Sequence, residues 1–238
     1  MNIGKGLLAA FTLAGLSLGA GSANAALVIV SSVGGAPNVP GVTRWNLDAP
    51  LVLPSKVASL TLVGSAGLVS GSVSGQYAAP YLSGNNGTGF GPGGTNQANG
   101  LDATQYATSG STSSNSNSRV EIAFNTSMQY LGLLWGSVDT YNTLTFFLGS
   151  ANVGSITGGQ VTPSATGDRG LNGTFYVNIN STQPFNRVVF SSSSFAFEFD
   201  NVAFAETPIN PVPIPAAGWL LVSGLLGLLG ISRRRAAG

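Results

Sequence analysis

The sequence contains neither cysteine nor histidine among its 238 residues. Without cysteine the chain can form no disulfide and no thiolate metal site. Without histidine it has no imidazole to serve as the base of a Ser-His-Asp triad or as a zinc ligand. These absences exclude the commonest hydrolytic and zinc-dependent mechanisms, and they favour a protein that is not an enzyme.

Charged residues are also scarce, since Asp, Glu, Lys and Arg make up only 7% of the chain, against about 25% in an ordinary soluble domain. Four of the nine basic residues lie in the terminal segments, namely Lys5, Arg233, Arg234 and Arg235. The central part holds five basic and eight acidic residues, a net charge of −3. Because nucleic-acid binding needs clustered Lys and Arg, we expect no nucleic-acid partner.

Residues 1–25 have the layout of a secretory signal peptide. Lys5 supplies an early positive charge, an apolar stretch runs from Leu7 to Leu18, and small residues end in Ala23-Asn24-Ala25. This pattern predicts a signal helix that signal peptidase removes by cleavage before Ala26. A buried N-terminal helix is the alternative interpretation of the same apolar run.

Residues 208–238 form a second terminal unit. A stiff Pro-rich stretch, residues 211–215, is followed by an uncharged apolar run from Ala216 to Ser232 and then by three arginines. At about 1.5 Å per residue, a helix over 216–232 is just long enough to cross a membrane. The positive-inside rule places the arginine cluster in the cytoplasm.

This order of elements resembles the PEP-CTERM class of sorting domains, which ends a chain with a Pro-x-Pro motif, a hydrophobic helix and an arginine cluster. The motif here resembles the V-P-x-P-A variant of the class. The matching residues are Val212, Pro213, Ile214, Pro215 and Ala216, with Arg233, Arg234 and Arg235 as the cluster. The resemblance implies that an exosortase removes the tail in the inner membrane of a Gram-negative bacterium that makes extracellular polysaccharide. A permanent single-span anchor is the alternative.

Between the two terminal units, apolar and polar residues alternate with a period of two. Val120, Ile122 and Phe124 share one face of a segment whose other face carries Arg119 and Glu121. Similar segments lie at 27–33, 57–63, 130–135, 143–148, 153–157, 174–179, 187–191 and 195–204. Some eight to ten short strands predict an all-β domain over residues 26–207, folded as an antiparallel β-sandwich of jelly-roll type. Residues 83–118, rich in Gly, Ser and Asn, predict a long flexible polar loop within it.

Two polar sites interrupt the apolar strands. In residues 195–204, the apolar residues before and after Asp200-Asn201 fall out of phase, which predicts a β-bulge. Carboxylate and amide oxygens are hard ligands, so Asp200, Asn201 and Asp139 form a candidate calcium site. Alternatively, Asp200 and Asn201 bond to local backbone groups, and Asp139 and Asn142 cap a tight turn between two strands.

The phrase GLLWGSVDTYNTLTFF at residues 132–147, together with FDNVAF at 199–204, resembles a family of exosortase-dependent bacterial surface proteins. The resemblance implies that the protein is located at the bacterial surface and belongs to the exosortase-dependent class. It implies no catalytic activity. We therefore expect a non-enzymatic exported protein of the cell surface or extracellular matrix, associated with exopolysaccharide or biofilm.

The alternative function is that of a carbohydrate-binding module, with calcium as its cofactor, in which exposed aromatic rings stack on sugars. The candidate stacking residues are Tyr77, Tyr81, Phe90 and Tyr106, in or beside the polar loop. Glycoside hydrolysis needs two carboxyls, and Glu198 and Asp200 lie about 7 Å apart on one strand face. Because adjacent acids are common on exposed strand faces, we expect no catalytic residue.

Overall fold

Twelve β-strands form in the residues described by the computed structural model, which are 26–32, 40–90, 96–110 and 117–209. They are β1 (Leu27–Ser32), β2 (Thr43–Trp45), β3 (Val57–Val63), β4 (Gly67–Ser70), β5 (Tyr81–Leu82), β6 (Gly100–Leu101), β7 (Gln105–Ser109), β8 (Arg119–Gly136), β9 (Asn142–Leu148), β10 (Ala151–Thr157), β11 (Phe175–Ser192) and β12 (Phe197–Ala205). A four-residue helix, α1 (Gly158–Val161), and a 3-10 turn, Leu171–Gly173, lie between β10 and β11.

All pairings between these strands are antiparallel, which confirms the prediction of an antiparallel all-β fold. The predicted signal peptide and residues 210–238 of the predicted sorting tail, including its helix over 216–232, lie outside the described residues. No helix within the described ranges is long and apolar enough to span a bilayer.

The two longest strands, β8 and β11, organise the architecture. They pair with each other along both of their halves, and the register shifts between Asn180 and Arg187. The first half of β8 also pairs with β3, whereas its second half pairs with β12. In the same way β11 pairs with β1 through its first half and with β9 through its second. Each long strand therefore replaces two predicted short strands. All of the described strands except β5 and β6 belong to one ten-stranded antiparallel sheet, and β5 and β6 pair separately.

Aromatic rings from β8, β11 and β12 pack against one another in the core. Phe190 of β11 stacks on Phe199 of β12, with ring centroids 3.9 Å apart and planes within 11°. Phe197 stacks on Trp135 at 4.2 Å and meets Phe190 edge-on at 5.7 Å. All of these side chains are completely buried, so this aromatic cluster is the centre of the core.

The period-two pattern of β8 correctly indicates its inner face. Val120, Ile122 and Phe124 are buried in the core. Arg119 and Glu121 are half-buried on the other face and form an ion pair with each other. The alternation of the sequence thus matches the alternation of side chains across the pleated strand.

The segment predicted to be a flexible polar loop, residues 83–118, includes strands among its described residues. Gln105–Ser109 is β7, which lies between β12 and β4 in the sheet. Tyr106 is completely buried and Phe90 is 2% exposed. Phe90 belongs to a second apolar cluster, in which it joins Tyr130 and Tyr176 on the outer side of β8 and β11. The segment is therefore not a loop throughout, because β6 and β7 lie within it, and its flexibility stays a prediction.

The aromatic core makes a quantitative prediction. Phe190→Ala should lower the free energy of unfolding by about 3–5 kcal/mol, because it removes a fully buried ring and leaves a cavity in the core. The matched control is Phe147→Ala, at a half-buried ring on β9 whose main contact is the Arg187 guanidinium 4.0 Å away. Urea unfolding should show a loss of only about 1 kcal/mol for the control. Equal losses for the two variants would contradict the assignment of Phe190 to the core.

Candidate functional site

The turn that follows β8 is organised by the side chain of Asn142. Its Oδ1 accepts hydrogen bonds from the Asp139 amide at 2.9 Å and from Trp135 Nε1 at 3.3 Å. Its Nδ2 donates to Ser192 Oγ at 3.0 Å and to the Ala196 carbonyl at 2.8 Å. Asn142 is completely buried. It therefore has the predicted turn-capping role, and it also joins the turn to the approach to β12.

A polar cleft of about 240 Å³ opens beside this turn. Residues from four separate parts of the chain line it, and most of the side chains carry hydrogen-bonding groups. They include Tyr77, Ser137, Asp139, Tyr141, Arg169 and Glu198. Two carboxyl groups, two phenols, a hydroxyl and a guanidinium thus face one small volume.

Glu198 projects from β12 and is 1% exposed. Its Oε1 accepts a hydrogen bond from the Ala78 amide at 2.8 Å, and its Oε2 accepts one from Ser137 Oγ at 2.6 Å. Burial raises the pKa of Glu198 to about 7, although the hydrogen bonds from Ser137 and Ala78 oppose the rise. The negative charge of Asp139 raises it further. The group therefore titrates near neutral pH.

Asp139 lies in the same cleft and is 8% exposed. Burial raises the pKa of its carboxyl, against a hydrogen bond from Tyr141 and the positive charge of Arg169. Gly167 passes close by with φ +70°, and a Cβ there would come within 2.7 Å of Asp139 Oδ1. Glycine is required at this position both for its backbone conformation and for the room that it leaves to the carboxylate.

This arrangement suits binding better than acid-base catalysis. Both oxygens of Glu198 are already engaged by donors of the protein, and the carboxyl is almost inaccessible. A small cleft with many converging donors and acceptors, flanked by tyrosine rings, fits a polyhydroxylated ligand such as a sugar unit. The cleft is thus a candidate binding site for the alternative function predicted from the sequence, carbohydrate binding.

The four predicted stacking residues do not form one surface. Tyr77 is half-buried and lines the cleft. Tyr81 is half-buried and lies elsewhere, with its amide bonded to Thr174 Oγ1 at 3.0 Å. The prediction is wrong for Phe90 and Tyr106, because both rings are buried in the protein. The Tyr106 ring instead supports Tyr77, which it meets edge-on at 6.4 Å.

The three predicted calcium ligands occupy two different surroundings. Asp139 faces the cleft, whereas Asp200 and Asn201 lie at a register shift in β12, which confirms the predicted bulge. Asp200 Oδ1 accepts a hydrogen bond from the Leu47 amide at 3.1 Å, and Asn201 Nδ2 donates to the Asn86 carbonyl at 3.0 Å. These two bonds reach distant segments, and the Asp200 carboxyl also accepts a hydrogen bond from the local backbone at Asn201, as the alternative interpretation expected. Within the described residues, no three or more Asp, Glu, His or Cys side chains gather as a metal cluster, and calcium stays a prediction.

The grouping of Glu198 with Ser137 and Arg169 could not be predicted from the sequence. Glu198 carried one signal, since it is an acid flanked by phenylalanines in the apolar stretch 195–199. We expected Glu198 and Asp200 on an exposed strand face, but both are buried, at 1% and 0% exposure. Arg169 carried no signal, because only the fold brings the loop between β10 and β11 to the cleft.

Glu198→Gln should change the dependence of stability on pH. The folded wild type retains the Glu198 proton to about pH 7, whereas the unfolded chain releases it near pH 4.5. The wild type therefore loses stability as pH rises through this window, on the order of 3 kcal/mol, and levels off above it. Glutamine still accepts from the Ala78 amide and does not titrate. In urea unfolding between about pH 4 and pH 8, the free energy of unfolding of the variant should rise relative to that of the wild type as the pH increases.

The control for this measurement is Glu206→Gln. Glu206 is exposed, and hydrogen bonds from Thr126 and Lys56 lower the pKa of its carboxyl. The ionised form of Glu206 stabilises the folded state. The free energy of unfolding of this variant should therefore fall relative to that of the wild type as the pH rises through the acidic range. If the curves of Glu198→Gln and the wild type run parallel, the raised pKa of Glu198 is refuted.

The comparisons with known proteins identify no relative of this chain. No protein-family model, no curated protein and no solved structure matches it.

Proposed function

We propose that the chain is a non-enzymatic exported protein of the cell surface or extracellular matrix, sorted by an exosortase and associated with exopolysaccharide or biofilm. Two terminal segments with the composition of sorting signals support this. They enclose an acidic β domain without cysteine or histidine. Signal peptidase and an exosortase are its processing partners, and the inner membrane of a Gram-negative bacterium is its transient location. The domain itself we infer to be a jelly-roll sandwich, on the support of its antiparallel strand pairing and of the different partners that β8 and β11 have along their two halves.

The observation that supports the proposal is that both ends of the described β domain are held by hydrogen bonds to β11. The Ala26 amide donates to Thr182 Oγ1 at 2.9 Å, at the start of the pairing between β1 and β11. Asn180 accepts from the Ile209 amide at 2.9 Å and donates to the Ile209 carbonyl at 2.7 Å. The first and last described residues are therefore fixed to neighbouring positions of β11. A cut before Ala26 and a cut after Ile209 would both leave the folded strands intact.

Mass spectrometry of the mature protein from its own host tests this proposal. We expect the chain to begin at Ala26 and to end before the apolar run 216–232. Replacing Pro213 and Pro215 with Ala should block removal of the tail but leave the N-terminus at Ala26, because the two processing steps recognise different signals. A mature surface protein that retains residues 216–232 would show a permanent anchor and contradict the exosortase step.

A second candidate function is a calcium-dependent carbohydrate-binding module, which the polar cleft favours. Tyr77 offers a half-buried ring at the cleft, and Asp139, Tyr141 and Arg169 offer acceptors and donors of the kind that sugar hydroxyls need. The net negative charge of the domain favours a neutral sugar over an acidic one.

Glycan-array binding, followed by titration with the matrix polysaccharide of the host, tests this function. Tyr77→Ala should weaken binding at least tenfold, about 1.4 kcal/mol, because it removes the ring at the cleft. Tyr81→Ala is the matched control and should bind as the wild type does, since Tyr81 does not line the cleft. Absence of binding to every glycan and matrix polysaccharide would contradict the second function.

A further inference from the structure

Five side chains form a closed cluster where residues 97–104 cross the bulge of β12, which we call the bulge cluster. Asp102 Oδ1 accepts from the amide and hydroxyl of Thr104, at 2.9 and 2.6 Å. Gln97 Nε2 donates to Thr104 Oγ1 at 3.4 Å, and Gln97 Oε1 accepts from Asn201 Nδ2 at 3.1 Å. The Asp102 and Asp200 carboxyls lie within hydrogen-bonding reach of each other, and this contact closes the ring.

Three oxygens of the bulge cluster are buried without a hydrogen-bond donor. They are Asp102 Oδ2, Asp200 Oδ2 and Asn201 Oδ1. The three side chains are 2%, 0% and 0% exposed. A buried acceptor without a partner has lost its hydrogen bonds to water and has formed none to the protein. Such atoms are rare in folded proteins, and a bound ligand or a proton would satisfy them. Two of the three atoms belong to contacting carboxyls, and the third belongs to the residue that follows Asp200.

The two carboxyls lie within hydrogen-bonding reach of each other at a buried position, where two negative charges repel each other more strongly than in water. Two occupants can relieve this repulsion, namely a proton shared between the carboxyls or a cation held by them. A shared proton would satisfy the two carboxyls, but it would leave Asn201 Oδ1 without a donor.

We propose that Asp102, Asp200 and Asn201 bind a calcium ion, which joins residues 97–104 to the bulge of β12. Two carboxylates balance the double charge of the ion, and the amide supplies a third hard oxygen. Calcium accepts six to eight oxygens in irregular geometry, whereas magnesium demands a near-ideal octahedron that a bulge does not supply. A cavity of about 210 Å³ against Asp102, Gln97 and Thr104 provides an entry path and room for the water molecules that complete the coordination.

This site differs from the combination expected from the sequence, because Asp102 takes the place of Asp139. It also stands independently of the proposed function, since a calcium ion here fixes the fold and touches neither the cleft nor the terminal signals. The ion would add a bond between segments that are nearly a hundred residues apart in the chain, and its removal would loosen the segment that includes Asp102.

Calcium titration of the full-length protein after chelator treatment, by calorimetry and by thermal unfolding, tests the proposal. We expect one calcium ion per chain. At about a hundredfold excess over the dissociation constant, the unfolding temperature should rise by roughly 5–10 °C over that in chelator. Magnesium should give a much smaller rise. A wild type that binds no calcium and melts at the same temperature with calcium and with chelator overturns the proposal and leaves a shared proton as the occupant.

Asp102→Asn localises the site. The variant keeps an acceptor for the two Thr104 donors but loses a charge, so calorimetric binding should fall at least tenfold and the calcium-dependent rise should disappear. The matched control is Asp168→Asn, the same change at an exposed residue whose Oδ1 accepts from the Gly170 amide, and it should bind as the wild type does. Undiminished binding by a folded Asp102→Asn overturns the assignment. Should that variant fail to fold, Asn201→Leu provides the second test, with the same expected loss.

Discussion

The pairing of β8 with β11 is the interaction on which the rest of the structure depends. Four other strands, β1, β3, β9 and β12, hydrogen-bond directly to one of these two. Because each long strand pairs with a different neighbour along each of its halves, the two halves of the sheet share β8 and β11. The aromatic cluster around Phe190 packs in the core against these strands. Without disulfides, this continuity of backbone and core joins the two halves of the sheet.

The strand β12 has two faces with different chemistry. Phe197 and Phe199 point into the core, whereas Glu198 and Asp200 point to the other side and are just as deeply buried. Two separate segments cover that side, and the two acids accept hydrogen bonds from their amides, Ala78 to Glu198 and Leu47 to Asp200. Polar pairing thus acts together with the burial of Leu47 and Ala78 to hold these segments against β12.

Local pattern predicted the strands well, because each is defined by its own alternation. The limits of β3 were predicted correctly, and the bulge at Asp200-Asn201 was visible as a break in phase. The strand β7 and the burial of Phe90 and Asp102 were not visible, since they depend on what these residues contact across the fold. The same reason hid the cleft, whose residues come from distant positions in the chain. The sequence predicted Asp200 as a metal ligand, but only the fold shows that the Asp102 carboxyl lies beside the Asp200 carboxyl.

The distance in sequence between β1 and its partner has a consequence for how the protein comes to be folded. The Ala26 amide and its acceptor on Thr182 are 156 residues apart. During synthesis from the amino terminus, β1 forms early and its partner β11 forms late. The segment of β1 therefore stays unpaired until almost the whole domain has been made. Val28 and Val30 remain exposed even in the folded strand, at 52% and 41%. Until β11 arrives, this short apolar segment has a free edge on both sides, which makes it the point of the chain most open to pairing with another copy.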